Sequence, residues 1–325
     1  MKSFFDFEDR LERLTNMGDA LVKLNVTVNW EDFRDSLEDI LKTVDTRAGG
    51  RQSFDKILMF KILILQSLYN ISDDSLEFQI NDRLSFQRFL NLDIGDKVPD
   101  AKTIWLFKER LAKSGHSKEL FDMYTIHLEN IGLVTKSGSI VDATVFERPI
   151  QKASQHPKSE NKYQERQIDR DASFTRKRNK NFHGYKNHIN ADADTKLITN
   201  FSVTTASRHD GKEAPNILGL SDVCVYADAA YRGEFIESAI LSKSPKMQLN
   251  VIRKHDGFFK PTPDQEIENF YISKIRTRIE HIFGHMTKSM GGKILRCVGF
   301  ARSHLAITFK NLAFNMYRAR FLLEK

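Results

Sequence analysis

The stretch Ser139-Ile140-Val141-Asp142-Ala143-Thr144-Val145-Phe146 constrains this chain more than any other. Six of its eight residues are apolar or β-branched, and Gly138 bounds it, so it reads as a buried strand with one carboxylate at its centre. A buried carboxylate is costly unless something pairs with it. A nearby Arg or a set of backbone amides is one solution, and a cation is another. A second strand repeats the anomaly: Val223-Cys224-Val225-Tyr226-Ala227 is apolar up to Asp228 and is followed by Ala229-Ala230-Tyr231-Arg232-Gly233. Two strands that each deliver an Asp, with a carboxylate on a later helix, point to a divalent metal site.

Charge is unevenly distributed. The net charge is +7, yet residues 1–45 hold eleven acids against six Lys/Arg, whereas residues 270–325 hold eleven Lys/Arg against two acids. A basic C-terminal third points to a polyanionic partner, most simply nucleic acid. Cys224 and Cys297 lie in apolar settings with no disulfide or zinc spacing, which fits a reducing cytoplasm. The first residues are acidic where a signal peptide needs a basic flank. The longest apolar run, Ile57–Leu65, is broken by Lys61 and is too short for a bilayer, so no membrane association is expected. The chain has no G-x-x-x-x-G-K-[ST] phosphate loop, and no nucleotide cofactor is expected.

With 325 residues the chain accommodates two domains of about 100–200 residues each. Residues 1–130 read as helical. An acidic arm carries Leu37, Ile40, Leu41 and Val44 at helical spacing, and Gly49-Gly50 ends it. Ser53 then caps a helix to about Asn70, with Ile57, Phe60, Ile64 and Leu68 on one face. Ser72–Asp82, Ser85–Asn91 and Ala101–Lys113 follow as shorter helices, and Trp105 reads as core. Short helices joined by tight turns suit either a helix-turn-helix-like DNA-binding module or a supporting bundle.

From residue 131 the period changes. The Asp142 strand is followed by a polar stretch, 149–188, read as a loop at least as far as Asn181. Its end is basic, with Arg176, Lys177, Arg178, Lys180 and Lys186 interleaved with Phe174, Phe182 and Tyr185. A hairpin (about Lys186–Ala191 and Leu197–Thr205), a helix at His209–Leu220, the Asp228 strand, a helix at Glu234–Ser242, a strand at Gln248–Arg253, a linker with Pro261 and Pro263, and a helix from about Ile272 to Ser289 follow. The order β, β-hairpin, α, β, α, β, α with an acid on the first strand, one at the end of the fourth and one on the late helix is a ribonuclease H-like layout. Glu280 is the natural third carboxylate. Arg276 lies four residues before it and Lys288 eight after, all on one face along about 18 Å of helix. Taken alone, Arg276 and Glu280 read as a solvated i,i+4 ion pair; with two strand-borne Asp residues in the right order, Glu280 reads instead as their third carboxylate. His281 and His285 are spaced as zinc ligands but have no Cys or third His to join them, so phosphate contact or packing suits them better.

Several motifs in order resemble the DDE transposases of bacterial insertion sequences, specifically the insertion-sequence-five (insertion-sequence-four-like) group. These are Asp82-Arg83-Leu84-Ser85-Phe86 with Val98-Pro99-Asp100-Ala101-Lys102-Thr103, Val141-Asp142-Ala143-Thr144, Asp171-Ala172-Ser173-Phe174-Thr175-Arg176-Lys177, His183-Gly184-Tyr185-Lys186, Ala227-Asp228-Ala229-Ala230-Tyr231, Ile275–Gly284 around Arg276 and Glu280, and Asn311-Leu312-Ala313-Phe314-Asn315. Related elements carry Tyr-x2-Arg-x3-Glu-x6-Lys; here Ser273 stands at the Tyr position and the Lys falls one residue late, at Lys288. The resemblance implies a ribonuclease H-like catalytic domain (a mixed sheet flanked by helices) over 131–325, preceded by an all-helical domain over 1–130 that recognises DNA ends. It further implies DNA cleavage and strand transfer with two Mg²⁺ or Mn²⁺ ions held by Asp142, Asp228 and Glu280. DNA contacts from Arg176, Lys177, Arg178, Lys180, His183, Lys186, Arg276 and Lys288, terminal inverted repeats and target DNA as partners, and a homodimer or higher oligomer on paired ends complete the expectation. Two other functions are compatible with the same residues: a nuclease or resolvase without joining activity, and an inactive DNA-binding regulator derived from a transposase.

Overall fold

A computed structural model describes residues 6–42, 53–93, 95–150, 167–177, 179–219, 222–243, 245–255 and 260–324. The chain divides into two compact units, Met1–Phe121 with Thr308–Lys325, and Asp122–Ile307.

The first unit is helical: α1 (Asp6–Asn16), α2 (Ala20–Thr27), α3 (Arg34–Lys42), α4 (Lys56–Tyr69), α5 (Asp73–Asp82), α6 (Leu84–Leu90) and α7 (Ala101–Ser114). Asp55, rather than Ser53, caps α4 by accepting from Leu58 N–H at 3.0 Å, and Asn70 ends the helix in the left-handed region. α4 is buried on every side, with Ile57, Met59, Phe60, Ile62, Leu63, Ile64, Leu65 and Leu68 all interior, which makes it the hub of the unit. Its Lys61 is also buried, and the ammonium lies 4.8 Å from the ring centre of Phe89 and 5.4 Å from that of Trp30. Ser72 and Asp100 cap α5 and α7 where the sequence places those helix starts. Trp105 is 44% exposed on α7 and is not core. The C-terminal residues from Thr308 group with this unit. Phe309 packs its ring 5.6 Å from that of Phe60, and Lys310 Nζ donates to Ser67 O at 3.0 Å.

After α8 (Ser117–Asn130), the second unit is built on β1 (Ser139–Glu147), β2 (Ser173–Lys177), β3 (Lys180–Asp192), β4 (Ile198–Thr205), β5 (Cys224–Ala227) and β6 (Gln248–Val251). Its helices are the short α9 (Ala214–Ile217), α10 (Glu234–Lys243) and α11 (Pro263–Lys288), with α12 (Phe300–Leu323) beginning there. The strand order is β2-β3-β1-β5-β6, with β4 also paired to β3. β1, β3 and β4 are antiparallel, whereas β5 joins β1 in parallel and β6 joins β5 in parallel. α11 packs on β1, β5 and β6, and α9 on β3 and β4. This is the ribonuclease H-like mixed sheet with flanking helices, following a helical region.

Three elements of the second unit differ from the sequence reading: the helix read over His209–Leu220 is a 3-10 turn at Asp210–Glu213 followed by the four-residue α9. The basic segment is not loop throughout: β2 pairs with the first half of β3 from Ser173↔Gly184 to Lys177↔Lys180. Gly184, paired with Ser173 on one side and Glu147 on the other, has φ +150, and a Cβ there would lie 2.1 Å from Phe146 O, so no other residue fits without displacing β1. α11 starts nine residues before Ile272, at Pro263. Thr262 and Gln265 form a capping box and Pro263 occupies the first helical position, where a missing N–H costs nothing.

Candidate active site

Asp142 and Asp228 meet because β1 and β5 run parallel in a register that pairs Ser139 with Val225 and Ile140 with Tyr226. That pairing brings the end of β5 alongside the middle of β1, and the charge of Asp228 is felt by Asp142. β5 ends at Ala227, and Asp228 Oδ1 accepts Ala230 N–H at 2.8 Å, capping the tight turn Ala229–Tyr231. The turn is seated closely: a Cβ on Gly211 would lie 2.4 Å from Ala230 O. Asp142 Oδ1 accepts Ala143 N–H at 2.7 Å, and its Oδ2 accepts Arg276 Nη2–H at 3.2 Å.

The solvated i,i+4 pair with Glu280 does not form. Arg276 reaches Asp142, not Glu280, because Ile272, Ile279, Ile282 and Met286 turn α11 toward the sheet and Arg276 lies on the rim of that buried face. Glu280 is about 40° further round the helix. It is exposed and has no hydrogen-bond or ion-pair partner among the described residues. Burial pushes the Asp142 carboxyl up to about 6; Arg276 and the Ala143 amide pull it down, and the Asp228 charge raises it. Beneath the pair, Tyr231 is fully buried in an apolar cluster with Val141, Val225 and Ala227. Burial, and then the charges of Asp142, Asp210 and Asp228, hold its phenol well above its ordinary value.

The basic residues separate into distinct groups. Lys177 crosses from the β2–β3 arm to within 3.3 Å of Ala143 O, so the arm folds back over the Asp142 strand. Arg176 and Lys180 are exposed on the same arm, with Arg176 donating to Asn179 Oδ1 at 3.3 Å. Arg178 lies outside the described residues. His183 is half-buried, with its ring 4.7 Å from that of Phe174 and its Nδ1 3.3 Å from Arg148 O. Lys186 does not face outward: it is buried, 2.8 Å from Asp210 Oδ1, and donates to Arg208 O at 2.6 Å. Lys288 is exposed on the last turn of α11. His281 Nδ1 faces Lys196 Nζ at 2.9 Å.

Asp142 and Asp228 fit one hard divalent cation, because both offer oxygen donors and their like charges already raise the proton affinity of Asp142. No group of three or more His, Cys, Asp and Glu side chains close enough to hold a metal occurs among the described residues, and Glu280 stands outside the pair.

Residues 134–316 match the family described as Transposase DDE domain, and residues 9–110 match Transposase domain (DUF772). The chain belongs to the DDE transposases. No solved structure matches it. The family carries DNA cleavage and transposition, generally uses divalent metals, and acts on DNA. No helix among the described residues is long and apolar enough to cross a membrane.

Two features of this transposase escaped the sequence reading. Lys293, after the Gly291-Gly292 turn, brings its Nζ 2.5 Å from Thr144 Oγ1, two residues along β1 from Asp142. The paired glycines mark the turn, but nothing in the sequence says that it returns to β1. The second is the role of Asp169 and Asp171 in starting α12. Asp169 accepts from Tyr185 OH at 2.8 Å and from Gly299 N–H at 3.0 Å, and Asp171 accepts from Phe300 N–H at 2.9 Å. This explains the Asp171 motif as a structural one, and Tyr185 as core.

Proposed function

We propose that this transposase, of the insertion-sequence-five group, binds the terminal inverted repeats of its element and catalyses strand cleavage and strand transfer at Asp142, Asp228 and Glu280. The observation that carries this reading is that Asp142 on β1 and Asp228, just past the end of the neighbouring parallel strand β5, lie close enough for the charge of one to act on the other, within a Transposase DDE domain. Asp142 and Asp228 hold Mg²⁺ or Mn²⁺, with Glu280 as the third carboxylate of a two-ion site. When bound, such ions activate the attacking oxygen and stabilise the leaving one. Arg276 keeps Asp142 ionised and oriented. Arg176, Lys177 and Lys180 on the β2–β3 arm contact backbone phosphates, where a run of like charges suits position better than base reading. The helical region 1–130 recognises the DNA ends, and a dimer or higher oligomer brings two ends together.

The test is cleavage and joining of a labelled duplex carrying an element end. Asp142→Asn and Asp228→Asn abolish both reactions while DNA binding survives, and EDTA does the same to the wild type. Joining to a target plasmid distinguishes a transposase from a nuclease on the same fold.

A further inference from the structure

After α11 the Gly291-Gly292 turn returns the chain to β1. Glu147 N–H donates to Lys293 O at 2.9 Å and Leu295 N–H to Glu147 O at 2.8 Å, an isolated parallel bridge at the end of the Asp142 strand. The Lys293 side chain runs back along β1, with its ammonium 5.7 Å from the Phe283 ring centre and hydrogen-bonded to Thr144 Oγ1 at 2.5 Å. Asp142 and Thr144 are two residues apart on one strand, so their side chains share a face about 6.5–7 Å apart. The β2–β3 arm brings Lys177 Nζ to Ala143 O at 3.3 Å.

Three cations therefore address three consecutive residues of β1: Arg276 at Asp142, Lys177 at Ala143 and Lys293 at Thr144. Only Arg276 has an acidic partner. Neither Lys177 nor Lys293 forms an ion pair among the described residues, and Glu147, the acid whose charge Lys293 feels, is itself exposed and unpaired with it. Burial, and then the charge of Lys177, depresses the Lys293 ammonium, so the two lysines are held where they repel. Like charges held together, with Asp142 and Glu147 acting on them but forming no ion pair with them, favour an anion between them. Asp142 and Asp228 lie at one end of this short stretch and two lysines without an ion pair at the other. A phosphodiester that brings its cations to the acids matches that polarity.

We propose that Lys293, together with Lys177, binds the non-bridging oxygens of a DNA phosphate seated beside Asp142 and Asp228. The inference rests on the reading of the chain as a DNA-cleaving transposase and assigns a phosphate-binding role to a residue outside the carboxylate set and outside α11. With one donor given to Thr144, the Lys293 ammonium keeps two for phosphate.

The experiment uses the full chain and a labelled end duplex. Lys293→Met keeps the stem against Phe283 and removes the charge; Lys293→Arg keeps the charge. Binding of the duplex is titrated against salt in EDTA, and cleavage is measured at saturating duplex in Mn²⁺. Lys293→Met lowers the log–log salt slope by about 0.9, the value of one phosphate contact on B-DNA. It lowers the cleavage rate about a hundredfold, the low end of what loss of one preorganised donor costs. Lys293→Arg keeps the slope and most of the rate. In the wild type, the duplex also protects Lys293 from amine acylation, a readout that needs no variant to fold. A wild-type slope and rate in Lys293→Met, or unchanged acylation with duplex bound, overturns the inference. If Asp142→Asn abolishes cleavage in that same case, the transposase reading stands without it; a wild type that neither binds nor cleaves the duplex overturns both.

Discussion

Arg276 Nη2 lies 3.2 Å from Asp142 Oδ2, joining the middle of α11 to the middle of β1. Arg276 is thus the main counterweight to the burial that pushes Asp142 up to about 6. Removing it leaves Asp142 buried beside Asp228 with less to favour its ionised form. In Arg276→Ala, measured without metal, the Asp142 carboxyl therefore titrates further above about 6. Carboxyl NMR of the two proteins checks this, and an unmoved titration contradicts the pairing.

Asp142 also carries a stability cost with a defined sign. Its folded proton affinity is raised above the ordinary carboxylate value of 3.8 to about 6. The folded state then holds more protons than the unfolded state between those two values, so this group's contribution to stability falls as pH rises through the window. Above about 6 the cost is fully present, and below about 4 it is gone. In EDTA at pH 7.5, Asp142→Asn melts higher than the wild type, by a gain on the order of 1–2 kcal/mol once the lost Arg276 pair is set against the shift. The gain vanishes near pH 4. A variant destabilised at pH 7.5 contradicts the account.

What the sequence made legible follows from periodicity and capping chemistry. The Asp142 strand, Asp228 at a strand end, and the helix starts near Ser72 and Ala101 are local signals, and each reappears in the structure. Gly184 is different: it looks like an ordinary strand glycine until the approach of Phe146 O is known. The partner of Arg276 is not legible in the sequence, because i,i+4 spacing identifies a helical neighbour but not a sheet residue 134 positions away. Lys186 was misread because a Lys beside Tyr185 in a basic run reads as surface, while its buried partner, Asp210, lies on another element. Lys293 and the return of the C-terminal helix to the first unit are long-range facts with no local mark.

Gly184→Ala places a methyl group against Phe146 O and strains a positive-φ backbone. The pairing of β3 with β2 and with β1 suffers. The expected loss is about 2–4 kcal/mol by denaturant titration, a size associated with backbone strain in a close-packed position. A loss below about 0.5 kcal/mol would show that the arm adapts freely.

Lys61 gives the helical unit its own pH dependence. Burial lowers its ammonium to about 8 despite the rings of Trp30 and Phe89. Between about 8 and the ordinary 10.5 the unfolded state holds more protons, so this group's contribution to stability improves as pH rises through that window. Lys61→Met, apolar and of similar shape, removes the cost and raises stability at pH 7 by roughly 1–3 kcal/mol. The advantage shrinks toward pH 10. Urea melts at the two pH values decide it; an equal advantage at both contradicts the buried-charge account.

Glu280 bears most directly on the proposed active site, because it is exposed and without a partner among the described residues. If it is only a surface carboxylate, Glu280→Gln leaves cleavage unchanged and alters stability by no more than about 0.5 kcal/mol. If it is the third metal ligand, stability is equally untouched but chemistry is not. The deciding measurement is Mn²⁺-dependent cleavage of a labelled end duplex by the wild type, Asp142→Asn, Asp228→Asn and Glu280→Gln, with melting temperature and duplex binding followed in parallel. The account predicts that all three variants fold and bind but lose cleavage by at least about a hundredfold. Wild-type cleavage by Glu280→Gln would contradict the three-carboxylate site, and wild-type cleavage by Asp142→Asn would contradict the active site altogether.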